Sequence, residues 1–182
     1  TVADARRPPA VDDAYRIPES VPTHPPSILT VLENDSDPDG DPISIVAVGA
    51  RLGIAIGGLV PKGWRTERGA APELEQSGFT ESDSSDYRVR TRLNVEHSDA
   101  TLIFATNPDS DGTRLTIDHA HKLGRPCLVL NPFEVTAEER ARHWLRDTAP
   151  EVLNVAGNRE SRSPGIGRRA EQILLAALAE AD

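Results

Sequence analysis

From Leu52 onward the chain repeats one pattern four times: a short apolar run, a glycine- or asparagine-bearing loop, then a polar stretch. The runs are "LGIAIGGLV" (52–60), "ATLIFAT" (100–106), "RPCLVLN" (125–131) and "EVLNVAG" (151–157). They are too short for helices and too continuously apolar for strands with one wet face, so they suit strands buried on both sides. Helical patterns fall between and after them. Residues 81–99 place Tyr87, Arg90, Thr91 and Asn94 at helical spacing after an Asp/Ser-rich start, and residues 113–124 end at Gly124. Residues 136–147 open with Thr136 and Glu139, a capping-box spacing. Residues 163–181 put Ser163 at the cap, Pro164 in the first turn, and Ile166, Ile173, Leu174 and Leu178 on one stripe. Strands alternating with helices of this length predict an α/β fold: a Rossmann-like parallel sheet covered by helices.

The first 50 residues have a different character. They hold nine of the 29 acids, three of the 20 bases, and 8 of the 15 prolines. Residues 1–27 lack periodicity and read as extended or disordered chain. Two strand-like runs follow, "SILTVLEN" (27–34) and "PISIVAVGA" (42–50), separated by "DSDPDGD". Too few residues lie between the second run and "GIAIGG" for a parallel crossover, so these two could form only a hairpin or one bent strand. The shift in composition predicts two parts: a proline-rich, acidic fragment over 1–50, extended or β-rich, and an α/β domain over 51–182.

Composition excludes several function classes. A net charge of −9 argues against a nucleic-acid surface built on phosphate contacts. No apolar run approaches the ~18 residues that span a bilayer, and the N-terminus lacks the apolar segment of a signal peptide. These features predict a cytoplasmic protein, although the acidic N-terminal segment has an extracellular character. Cys127 lies inside an apolar run and reads as a small buried residue. His119 and His121 are two apart, so they point to different helix faces and make a poor metal pair. Trp64, after "PKG", suits either a ligand edge or the core.

In an open parallel sheet, ligands bind beyond the carboxyl ends of the strands. The four exits carry Gly57, Gly58, Pro61, Lys62, Gly63 and Arg65; Ser110, Asp111, Gly112 and Thr113; Asn131 and Pro132; and Gly157, Asn158, Arg159, Glu160 and Ser161. Glycines let backbone amides approach a ligand, and the helix start at Thr113 favours an anion. With Lys62, Arg65 and Arg159 these loops predict a site for a phosphorylated or oxyanionic small molecule. In the acidic loop, Asp35, Asp37, Asp39 and Asp41 offer hard oxygens at alternating positions, which suits Ca²⁺, while Pro-Asp-Gly alone is also a strong turn signal.

The stretches "LGIAIGGLVPKGWRTERG", "DYRVRTRLNVEHSDATLIFA", "DGTRLTIDHAHKLGRPCLVL" and "LNVAGNRESRSPGI" resemble the molybdenum-cofactor carrier family. This Rossmann-like group is related to the lysine decarboxylase-like phosphoribohydrolases. The resemblance spans about residues 52–182. It implies ligand binding at the loop edge, near Lys62, Gly63, Gly112, Thr113, Gly157, Arg159, Glu160 and Ser161, with the molybdenum cofactor or a nucleotide as ligand and a homo-oligomer as the assembly. Such proteins begin with a strand, a glycine-rich phosphate loop and a helix, and this unit is missing ahead of Leu52. The phosphoribohydrolases also carry a "PGGxGT" loop followed by a catalytic Glu. Here Asp111 replaces the second glycine and Thr116 stands near the Glu position, which argues against that hydrolysis. A nucleotide-processing hydrolase with Glu160 or Asp111 as acid/base is the rival on the same scaffold. A third reading comes from residues 10–48, which resemble the opening of a cadherin-like bacterial adhesin repeat and imply a calcium-binding extracellular module.

Overall fold

The computed structural model describes residues 28–31, 44–66 and 69–179. Of the six runs expected to be strands, those starting near 27, 52, 100, 125 and 151 pair, and the sheet gains a short strand at Phe79–Glu81 that none of the runs predicted. A parallel sheet forms from β1 (Ile28–Val31), β2 (Ala55–Val60), β5 (Phe79–Glu81), β6 (Ala100–Phe104), β7 (Cys127–Leu130) and β8 (Val152–Gly157), in the order β5-β2-β1-β8-β6-β7. A two-stranded antiparallel ribbon, β3 (Arg65–Thr66) and β4 (Gly69–Ala70), leads into a 3-10 turn at Pro72–Ser77. The five α-helices of the described residues are α1 (Ser44–Leu52), α2 (Tyr87–Glu96), α3 (Asp111–Lys122), α4 (Ala137–Thr148) and α5 (Ile166–Leu178). None is long and apolar enough to cross a membrane. The expected α/β class, a parallel sheet flanked by helices, holds.

The helices divide between the two faces. α5 packs between α1 and α4 on one face, while α2 and α3 pack together on the other. The first face is the larger core. Leu102 and Phe104 of β6, Leu153 and Val155 of β8, and Ile166, Ile173 and Leu174 of α5 bury their side chains there. Under α3 the core is smaller: Ile103, Ala105 and Ala156, joined by Ile117, Cys127 and Val129. Cys127, expected to be buried, is partly buried beneath α3, and desolvation pushes its thiol up to about 11. Trp64 packs against the larger core.

The strand expected over 42–50 is instead the helix α1. Its β-branched residues suit a strand locally, but Ile45 and Val48, three apart, are both buried in the larger core. Gly49 fixes the approach, because a Cβ there would lie 2.4 Å from Ile56 Cγ2 of β2. β1 and β2 therefore run parallel with α1 between them, and the crossover length is satisfied. The run from Ile28 does form a strand, and it lies between β2 and β8. α2 presents a buried polar face, Arg90, Thr91 and Asn94. The guanidinium of Arg90 lies over the Tyr87 ring at 5.7 Å. Asn94 receives the Leu59 N–H at 2.9 Å and donates to the Leu59 carbonyl at 3.2 Å, pairing β2 beyond the point where β1 stops.

Candidate functional site

The strand order places the site. From β8, continued cyclically through β1, β2, β5, β6 and β7, the strands stand in the order 4-3-2-1-5-6. That is a doubly wound sheet with one reversal, between β8 and β6. The chain leaves β6 toward α3 on one face and leaves β8 toward α5 on the other. A crevice must open between these two exits, and ligands in such sheets bind there. A cavity of about 610 Å³ occupies this position, lined by residues 106, 107 and 109–113 of the β6 exit and by residues 157–159, 162 and 163 of the β8 exit.

Asn158 forms its floor. The residue is 6% exposed and bonds across to the other loop. Its Oδ1 accepts the Asn107 N–H at 2.8 Å. Its Nδ2 donates to the Asn107 carbonyl at 3.2 Å and to Ser110 Oγ and Thr113 Oγ1, both at 3.1 Å. Thr106 and Ser163 join their hydroxyls across the same gap. The floor is thus a buried polar network that holds the β6 and β8 exits in one geometry.

The two helix starts facing this floor are finished differently. At α3, the N-cap Ser110 makes no capping bond to the helix. Its hydroxyl donates instead to Thr113 Oγ1 at 2.9 Å. The first intrahelical N–H to reach back is that of Arg114, to Ser110 O at 2.9 Å. The N–H groups of Asp111, Gly112 and Thr113 precede it and belong to the crevice wall. At α5, Glu160 is 7% exposed, and its carboxylate accepts the N–H groups of Gly165 and Gly167. The cap expected at Ser163 is therefore made by Glu160 with Gly165, whose φ of 84° turns the chain into the helix. The capping box expected at Thr136 does not form either. Its backbone is already in the right-handed helical region, not the extended one of a capping residue, and its side chain makes no cap bond.

Of the residues expected at the site, Gly112, Thr113, Gly157 and Arg159 line the crevice. Ser161 lies exposed in the same β8 exit, and Glu160 caps α5. Gly57 and Gly58 lie inside β2 and not beyond its end, because the strand continues to Val60. Lys62, Gly63 and Arg65 form a separate exit, at β2. There the Lys62 N–H bonds to Ser84 O at 2.9 Å and the Gly63 N–H bonds to the Glu81 carboxylate, so these amides serve the β5 exit. Asp35, Asp37, Asp39 and Asp41 lie outside the described residues. Among the described residues no group of three or more acids, histidines or cysteines is placed to hold a metal. Asn107, Ser163 and Arg162 are site residues that the expected set lacks. Asn158 was named only as one residue of the β8 exit, and its place directly after the last buried strand was the signal for its role in the floor.

The family model of the circularly permutated YpsA SLOG family matches residues 44–178. The chain belongs to that family. Permutation fits the cyclic strand order: ahead of β2 the chain carries β1 and α1, while the unit that starts the order, β8 with the "GNRESRSPG" loop and α5, lies at the other end of the chain. The fold also matches a crystal structure of a candidate molybdenum carrier protein from Syntrophus aciditrophicus. The two share 28% identity with a TM-score of 0.69, over 88% of this chain and 96% of that one. The resemblance read from residues 52–182 is borne out at the level of the family. No curated protein matches the chain.

Proposed function

We propose that this protein binds a phosphorylated or oxyanionic small molecule, the molybdenum cofactor in particular, between the β6 and β8 exits, and carries it without transforming it. One observation carries the proposal. The α3 first turn, its side-chain cap diverted, borders a cavity that Arg159 and Arg162 line from the other side. Uncapped amides and guanidinium groups are the donors that a phosphate or oxometal anion needs. The cavity volume suits a small cofactor, since such sites run roughly 300–1,000 Å³. The molybdenum carrier named among the similar structures supports the same cargo. Glu160 supports carriage over hydrolysis. Both its oxygens accept α5 amides, which leaves it poorly placed to move a proton in the crevice.

The test is metal content after loading. Protein is mixed with molybdenum cofactor released from a molybdoenzyme, desalted, and analysed for molybdenum and phosphate. The wild type should retain both in equal amounts and Arg162→Ala should retain little. A wild type that retains neither, or a variant that retains as much, sinks the proposal.

A further inference from the structure

Two helix starts meet at this crevice, and only that of α3 is open to a ligand. At α5 the Glu160 carboxylate, on a side chain more than nine-tenths buried, accepts the N–H groups of Gly165 and Gly167, one on each oxygen. No lysine, arginine or histidine pairs with it among the described residues, so the α5 amides are its partners. The loop holds it in place. The N–H groups of Arg162 and Ser163 both bond to the Arg159 carbonyl at 2.9 Å, and the Ser163 N–H also reaches the Glu160 carbonyl at 3.2 Å. Glu160 is not among the residues that line the cavity, but Ser163 is. Three positions before Ser163, in the same turn, stands a fixed and buried carboxylate.

We propose that Glu160 stands in for a second phosphate and restricts the crevice to ligands with one, a phosphate monoester and not a diphosphate. The α3 amides with Arg159 and Arg162 are the donors left for a single anion. A second phosphate joined to the first would find the α5 amides occupied. It would also meet the carboxylate in a part of the protein shielded from water, where like charges repel strongly. The inference rests on the crevice being the ligand site proposed above. It adds the residue that limits the ligand's charge there, one that acts through the helix it caps and not by touching the ligand.

Calorimetric titration with inorganic phosphate and with pyrophosphate tests it, in metal-free buffer at about 0.15 M salt, where exposed charges more than about 8 Å apart are screened. The wild type should bind pyrophosphate no more tightly than phosphate. In Glu160→Ala the affinity for pyrophosphate relative to phosphate should rise about tenfold. Glu160→Gln keeps the size of the side chain and removes its charge, and the ratio should rise there too; this variant carries the test if Glu160→Ala does not fold. A purely structural role for Glu160 would weaken both probes alike and leave the ratio where it was. An unmoved ratio, or a wild type that already prefers pyrophosphate, overturns this inference alone. A wild type that binds neither probe overturns the crevice as the ligand site as well.

Discussion

α3 and α5 leave adjacent strands at the same sheet edge, and their first turns meet opposite fates. At α5 a carboxylate from the preceding loop, Glu160, fills the positive end of the helix from inside the protein. At α3 the available hydroxyl, that of Ser110, is drawn sideways to Thr113 and Asn158, and the first-turn amides are left to the cavity wall. A helix start that supplies its own anion is part of the framework. One whose cap is diverted into a network beneath it is a place for an anion from outside. The same contrast separates α3 from α2, where Asp86 accepts the Arg88 N–H at 2.9 Å and completes the cap.

The largest expected effect is at the residue that joins the two regions. Asn158→Ala removes all four bonds to Asn107, Ser110 and Thr113 together, and should cost about 4 kcal/mol in denaturant unfolding at roughly 1 kcal/mol per bond. It should also abolish binding, since the α3 turn loses its support. A variant that keeps both stability and ligand would show that the walls hold their places independently. Next comes Glu160→Ala, which leaves two α5 amides without their acceptor and should cost about 2 kcal/mol. This change should make the two helix ends alike. Sulfate should then stabilise the variant more than it stabilises the wild type, and an unchanged sulfate response would remove Glu160 from the comparison. Thr113→Val keeps the shape of a 4%-exposed side chain but removes the hydroxyl that accepts from Ser110 and Asn158. It should cost about 1 kcal/mol. With Ser110 released to cap α3, ligand affinity should fall further than stability does; equal falls would mean that the diverted cap has no part in binding.

Much of this was legible in residue order. The four buried strands were readable because parallel strands covered on both faces are continuous apolar runs, and the inner stripe of α5 because Ile166, Ile173, Leu174 and Leu178 repeat at the helical period. α1 was not, since "SIVAVGARL" is apolar in either conformation and packing of Ile45, Val48 and Gly49 decides between them. At the site, Gly112, Thr113, Gly157 and Arg159 could be found as loop residues after strands. Asn158 could not be weighted, because its partners lie 45 to 51 positions away and leave no local pattern. Permutation hid the rest: spacing along the chain does not show that its last strand, β8, stands beside β1 and β6 at the reversal of the sheet, and only the strand order does.

The smallest effect concerns acid. His97, the C-cap of α2, and His119, in the last turn of α3, both have pKa values lowered, mainly by burial. For His119 the neighbouring Lys122 and Arg92 lower it further. A native pKa below the unfolded one means that, as pH falls through about 6.5, the unfolded chain gains protons that the native chain refuses. The contribution of these two groups is therefore present above that pH and lost on acidification. Both lie in the α2–α3 layer and neither in the layer of α5. Melting followed from about pH 7.5 to about pH 5 should fall less steeply in His97→Gln/His119→Gln than in the wild type. If the two profiles stay parallel, the acid response of the α3 layer has another source. A steeper fall in the variant would mean that the native state favours the charged imidazoles, which reverses the sign.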